Sequence, residues 1–412
     1  METIVSNKLQ QFVVGLDPTQ MPLPHTLQLM AQNHLLAKDF PTTKSERFKY
    51  TRLAKLANAQ MSNSLQLEKA QLSQHKILTD AYTVYINNKQ IILPTDLPSG
   101  LQIKLNTEEQ DTFHEASFYD VFGALNILYA QNGISIRVAN NCTLDKPIQI
   151  VQVNSGGKYF YRHHFNFGEN AEAAVYIVTK STIDLNSFAH THFQYDIAQS
   201  ARIKVYKIQD CCAGHFDFHE DRAKQNATSH FEINTLTLDG SFVRNDTMVA
   251  VKGEHAQTYL NGAYWLKEEE HVANYTTIDH QVANCESFET YKGVAADKST
   301  AVFNGKVFVR KDAQKTNAYQ SNANVLLSDS ASVNSKPELE IYADDVKCSH
   351  GSTTGQLDDN ALFYLRARGL SAATAKTLLL QAFMEDVLTY VKQDEALAYV
   401  HQRIAERFDW NY

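Results

Sequence analysis

The chain has 412 residues with 46 acidic and 38 basic side chains, a formal net charge of −8. Both signs are spread along the sequence and no Lys/Arg block is interleaved with aromatics, which argues against a nucleic-acid partner. No run of about 18 apolar residues offers a membrane span, and the first residues lack a basic segment followed by an apolar one, so a cytoplasmic protein with no membrane partner is expected.

Up to residue 78 the pattern is helical. Leu27, Met30, Leu35 and Leu36 fall near one period and Phe48, Leu53 and Leu56 near another, with Pro22, Pro24 and Pro41 as interruptions. An N-terminal helical domain over 1–78 is expected. From Tyr82 the texture changes to short alternating runs separated by Asn, Asp, Gly and Ser, which read as strands. Three of them, Ala171 to Val178, Ala201 to Ile208 and Ala256 to Leu260, share a polar turn, an alanine and then alternation, as coils of a solenoid would. Those alanines stand 30 and 55 residues apart, a weak repeat, and a β-sandwich is the structural alternative. The strand texture nevertheless runs through 79–352 without a break, which exceeds an ordinary sandwich.

The segment from Val346 to Leu370 is the most informative. Cys348 and His350 are two apart, so on a strand both leave the same face, and a thiolate with an imidazole suits iron, zinc or an iron–sulfur centre. Two ligands do not complete a site, and by background frequency such a pair is more often a buried thiol beside a satisfied polar group. Gly351 and Gly355 are expected to end the strand. Asp358 then caps a helix closed by Gly369, Ser371 caps a second carrying Ala375, Leu378, Leu379, Ala382 and Phe383, and Asp394 opens a third. A C-terminal helical domain is expected over 353–412.

Other clusters carry less. Five cysteines, Cys142, Cys211, Cys212, Cys285 and Cys348, are odd in number and scattered, so they read as reduced thiols. Adjacent Cys211 and Cys212 would diverge on a strand and read as structural. The histidines at 163/164, 190/192, 215/219, 230, 255, 271 and 280 read as polar rows on the outer faces of coils, with no zinc site expected. Asp344 and Asp345 also diverge, and no Ser–His–Asp or glycosidase context surrounds them, so no catalysis is expected. Neither GxxxxGK[ST] nor GxGxxG is present, so no nucleotide is expected on this chain.

Three motifs, ADDVKCSHG (343–351), GQLD (355–358) and LFYLRARG (362–369), stand in order. With them the chain resembles the SufD family, scaffold subunits of the SUF iron–sulfur cluster assembly machinery. The resemblance extends through Asp279 to Val309 and Leu326 to Val346, with fainter echoes at PTTKSERFKYTRL and FGALNILYAQNGISIRVANN. It departs at Phe48, where the family pattern has Trp before the Lys49-Tyr50-Thr51 run. The paralogous SufB pattern resembles EHEATTSK where this chain reads CSHGSTTGQLD.

The resemblance implies a mainly β fold, a right-handed parallel β-helix flanked by N-terminal and C-terminal helical domains. It implies a non-catalytic scaffold that pairs with a SufB-like subunit, with His350 at the interface as a transient ligand, shared with SufB, of a nascent Fe–S cluster. Cys348 is a secondary candidate at the same place. The C-terminal helices are expected to dock a SufC-like ATPase, two copies per complex, through Leu362, Phe363, Leu378, Leu379 and Phe383. A downstream Fe–S carrier or apoprotein would receive the cluster, and a homodimer is the alternative assembly without SufB. The sequence does not settle whether a flavin joins the complex. The rival readings are a SufB-like primary scaffold, holding a cluster on converging thiols of its own, and a β-helix carbohydrate-active enzyme, needing acidic or basic side chains along one groove.

Overall fold

A computed structural model describes residues 7–19, 21, 23–106, 120–408 and 410; Pro22 lies outside them. The N-terminal segment forms helices α1 (Asn7–Val13), α2 (His25–Ala37), α3 (Ala54–Asn58) and α4 (Lys69–Ser73). Strands β1 (Tyr82–Asn87), β2 (Gln90–Ile92) and β3 (Leu101–Leu105) precede a further helix, α5 (Val121–Tyr129). The strands then run β4 (Ile134–Val138), β5 (Ile148–Asn154), β6 (Gly157–Phe167), β7 (Glu172–Ser181), β8 (Ser187–Ile197), β9 (Arg202–Asp210), β10 (His215–Gln225), β11 (His230–Asp239) and β12 (Phe242–Val251). They continue as β13 (Gln257–Leu266), β14 (His271–His280), β15 (Glu286–Ala295), β16 (Thr300–Val309), β17 (Asn317–Leu326), β18 (Ser332–Ile341) and β19 (Lys347–Gly355). Helices α6 (Asp359–Ala367), α7 (Ala372–Leu388) and α8 (Asp394–Phe408) follow.

From β4 onward alternate strands belong to alternate sheets. Odd-numbered strands β5 to β19 stack in parallel in one sheet, even-numbered β4 to β18 in the other, so the chain is a parallel β-solenoid of about 8 turns. The antiparallel strands β2 and β3 finish the two sheets at the first end.

A corner recurring every coil explains how the chain winds. Asn141, Asn170, Ser200, Thr228, His255, Asn284 and Lys315, 27 to 31 residues apart, all take left-handed backbone with φ between 55° and 60°. From the second onward, the next residue is Ala171, Ala201, Ser229, Ala256, Cys285 or Thr316, each at most 1% exposed, and the following one opens an odd-numbered strand. Ser229 fills the rung that makes the alanine spacing look like 55. The turn demands only a tolerable αL residue and then a small one, so its signature is a pair of shapes rather than a pair of letters.

Thr228 is the β-branched member of that set and the most strained. Thr228→Asn places there the residue used at 141, 170 and 284, where Asn170 Nδ2 also donates to Asn141 Oδ1 across coils at 2.8 Å. The variant is expected to be more stable by about 0.5–1 kcal/mol, read as a higher urea midpoint.

Alternation directs one face of every strand into the solenoid. Its first coils are filled by Ile134, Ile150, Phe165, Val175, Tyr195 and Ile203. Further along, Tyr264 lies opposite Gly293 and Tyr291 opposite Gly262 in the β13–β15 register. A Cβ on either glycine would sit within 2.3 Å of the facing ring, so each tyrosine occupies its neighbour's missing side chain.

The two outer faces are covered by different helices. On the even-stranded sheet, Leu27, Leu35, Phe48, Phe122 and Leu125 bury Phe160, Phe188, Phe218 and Phe242. Helix α5 is the unexpected part of this layer. Nearly all of VFGALNILY is buried, so it has no polar face, and a helix apolar all round carries no 3.6-residue stripe to read. On the odd-stranded sheet, Leu380, Met384, Val387, Val400 and Ile404 of α7 and α8 cover Tyr206, Leu236, Trp265 and Val294. The C-terminal helices therefore lie along the side of the solenoid. No described helix is long and apolar enough to cross a membrane.

Candidate functional site at the open end of the solenoid

The two ends differ. The first is closed by edge strands of three and five residues, β2 and β3. The second ends on β18 and β19, ten and nine residues long, each paired on one side only among the described residues. Two parallel edges of that length are templates for further strands unless a partner covers them. Pro337 sits within β18, a position an edge strand tolerates.

His350 lies on β19. The register sets Cys348 against Ala318 and His350 against Gln320, both buried residues of β17, so the two ligand candidates share the inward-facing row of the last coil. Cys348 is half-buried against Val307, Ala318 and Ala343. Burial pushes its thiol up, against a smaller opposing effect of the Ala318 backbone. His350, one pleat further and with no coil beyond it, is exposed. Contrary to the sequence expectation, the strand does not break at Gly351. Pairing continues from Ser321–Gly351 to Val325–Gly355, because neither glycine has positive φ and the ladder with β17 holds both.

Behind His350 the interior is polar. Gln320 Nε2 donates to Glu289 Oε2 at 2.6 Å, and Thr276 donates to the other carboxylate oxygen. Burial pushes the Glu289 carboxyl up to about 7. A carboxyl whose folded pKa exceeds its unfolded value stabilises the fold below the unfolded value and loses that contribution as pH rises to about 7. Glu289→Gln should remove this dependence, since Gln320 Oε1 has no hydrogen bond and can accept from the new amide once its own amide flips. The variant is expected to gain on the wild type in urea midpoint between pH 5 and pH 8; parallel curves would contradict the assignment.

The α6–α7 hairpin stands beside this end with its apolar residues divided. Helix α6 has no buried residue; Phe363 and Tyr364 are 74% and 56% exposed and Leu378 of α7 is 43% exposed. Leu362 and Leu379 are half-buried. Phe383 packs towards the sheet, with Lys292 Nζ 4.9 Å from its ring centroid. Asp358 and Ser371 cap α6 and α7 by accepting from Asn360 N and Thr374 N, and Gly369, with φ 94°, closes α6.

Histidines 190 and 192 lie on an outer face, but not in solvent. The N-terminal helices cover them beside Glu220 and Asn126, and burial lowers both to about 4. His163, His215, His219 and His280 are buried too, on the inward-facing rows. The reading of these histidines as solvated rows is thus corrected: hydrogen bonds to neighbouring coils let imidazole replace apolar filling. The five thiols lie in separate coils except for Cys211 and Cys212, which follow β9.

The fold and site are those of a parallel solenoid ending on two long open edges, with an exposed imidazole on the last rung. The family model for the SUF system FeS cluster assembly SufBD core domain matches residues 150–383. The chain is 31% identical to the iron–sulfur cluster assembly protein SufD of Escherichia coli over 92% of both proteins. It is 25% identical to the chloroplastic protein ABCI7 of Arabidopsis thaliana over 93% of this chain and 86% of the relative. A SufBD family protein of Mycobacterium tuberculosis is 29% identical over 49% of this chain and 53% of its own. The chain belongs to the SufBD family, as a SufD-type iron–sulfur cluster assembly protein of the SUF system.

Proposed function

We propose that this chain is a non-catalytic scaffold whose open end pairs with a SufB-like subunit, the nascent cluster forming as cargo between them. The observation that carries the reading is the pair of unpaired edges, β18 and β19, with His350 exposed on the last rung. A partner ending in similar strands would continue both sheets, satisfy the free N–H and C=O groups, and bring its own ligands opposite His350. His350 then serves as a labile nitrogen ligand, and Cys348, one pleat inward, stands in reserve. The exposed Phe363 and Leu378, with Leu362, Leu379 and the edge of Phe383, form the docking face for a SufC-like ATPase, two copies per complex. A downstream carrier or apoprotein takes the finished cluster. With SufB absent, the same edges would pair two copies of this chain.

Anaerobic affinity purification of the tagged full-length chain from its native cytosol, followed by native mass spectrometry, tests this reading. Recovery with one SufB-like subunit and two ATPase copies is the expected result. A lone monomer would overturn it. Phe363→Asp with Leu378→Asp should release the ATPase alone, leaving the SufB-like subunit bound.

A further inference from the structure

The solenoid holds a second constellation, away from the open end. His215, Asp217 and His219 alternate along β10, so all three enter the interior, and Cys211 reaches the same place from the turn after β9. All four are buried, at most 2% exposed. One donor atom from each of Cys211, His215 and Asp217 lies within 4.8 Å of the others.

Among the described residues, the hydrogen bonds leave one carboxylate oxygen of this cluster without a partner. His215 Nδ1 is 2.7 Å from Ser187 Oγ, and its Nε2 lies 3.8 Å from Asp217 Oδ1. Asn154 Nδ2 lies 3.3 Å from that Nε2. Asp217 Oδ2 accepts from Gln209 at 2.9 Å, whereas Oδ1, 3.2 Å from His219 Nε2, has no well-directed hydrogen bond. An under-satisfied carboxylate oxygen in a protein interior calls for a cation. Tetrahedral bonds of about 2.0–2.1 Å give N···O edges of about 3.3 Å, so the 3.8 Å between His215 Nε2 and Asp217 Oδ1 closes to that edge with a shift of about half an ångström.

We propose that Cys211, His215 and Asp217 bind one divalent transition-metal ion inside the solenoid, with His219 positioning the carboxylate. A mixed sulfur, nitrogen and oxygen set fits zinc best, with iron(II) second. Binding replaces the thiol proton by the metal, the proton leaving to solvent. The same turn borders the surface: half-buried Cys212 lines a cavity of about 410 Å³ where Asp239, Glu268, Glu269, Glu270 and Glu406 face Lys55, Lys267, Arg403 and Arg407. The metal would tie the β9–β10 turn to the strand and leave the open end untouched.

Metal analysis of the full chain as isolated, then anaerobic titration of metal-free chain with Zn2+ and with Co2+, tests the proposal. One metal per chain is expected, with a thiolate-to-cobalt band and the strong visible absorption of a tetrahedral ion. Cys211→Ser should lose the band, and the isosteric Asp217→Asn should bind Co2+ about 100-fold more weakly or worse, whereas Cys212→Ser should keep both. Iron rather than zinc in the isolated chain supports the same site. Absence of uptake by wild-type chain with either metal would overturn it, leaving a hydrogen-bonded ion pair only. Equal losses from Cys211→Ser and Cys212→Ser would also overturn it, placing the metal at the surface.

Discussion

His350→Ala is expected to lower cluster formation by the assembled complex at least tenfold, about what loss of a metal ligand or its close support costs, while subunit composition stays unchanged. The side chain is exposed on the last rung, so its removal opens no cavity, and substitutions of that kind shift stability by at most about 0.5 kcal/mol. The backbone pairing with Gln320 that would position an incoming strand survives in the variant. His350→Cys keeps a soft donor at the same height and should recover part of the activity. Iron and sulfide content of the anaerobically reconstituted complex, read beside its native mass, checks both. A variant complex that fails to assemble would show that the imidazole acts in packing, and one that matures clusters normally would remove it from the site.

The largest expected effect on stability lies deeper in the interior. Lys207 Nζ is 2.5 Å from Asp221 Oδ2 with both side chains fully buried. Asp221 also accepts from Tyr195 OH at 3.0 Å and lies 3.4 Å from Thr247 Oγ1. The ammonium therefore joins two sheets across the core, from β9 to β10. Lys207→Ala leaves a buried carboxylate without its cation and should cost about 3–5 kcal/mol. Adding Asp221→Asn removes the stranded charge, so the double variant should be more stable than Lys207→Ala alone, a coupling that a double-mutant cycle in urea isolates. A loss below about 1 kcal/mol for Lys207→Ala would mean that water reaches the pair.

Part of this structure is legible in the sequence because it depends on local chemistry. Asp358, Ser371 and Gly369 act as caps whatever surrounds them, and the alternation through 79–352 reports strands directly. The solenoid period is harder to see because its corner accepts Asn, Ser, Thr, His or Lys at the αL position and Ala, Ser, Cys or Thr next. Helix α5 is hidden because burial on every side erases its amphipathic stripe. The histidines mislead for a related reason. Polar residues on a strand suggest solvent, but neighbouring coils supply hydrogen bonds to both faces, so Gln152, Thr191, His219 and Asn245 are buried. The spacing Cys211-x3-His215-x-Asp217-x-His219 is plain once β10 is known to turn that row inward.

At the open end, the sequence motif and the unpaired edges point to one place for different reasons. Cys348 and His350 stand out by their chemistry, whereas the edges of β18 and β19 are visible only once the strand order is known. Hydrogen–deuterium exchange of residues 332–355, with and without a SufB-like subunit, tests that convergence most directly. Slowed exchange along β18 and β19 on complex formation, with β2 and β3 unchanged, is the predicted result. Exchange at β18 and β19 that does not change in a complex of full mass would contradict it and move the interface elsewhere.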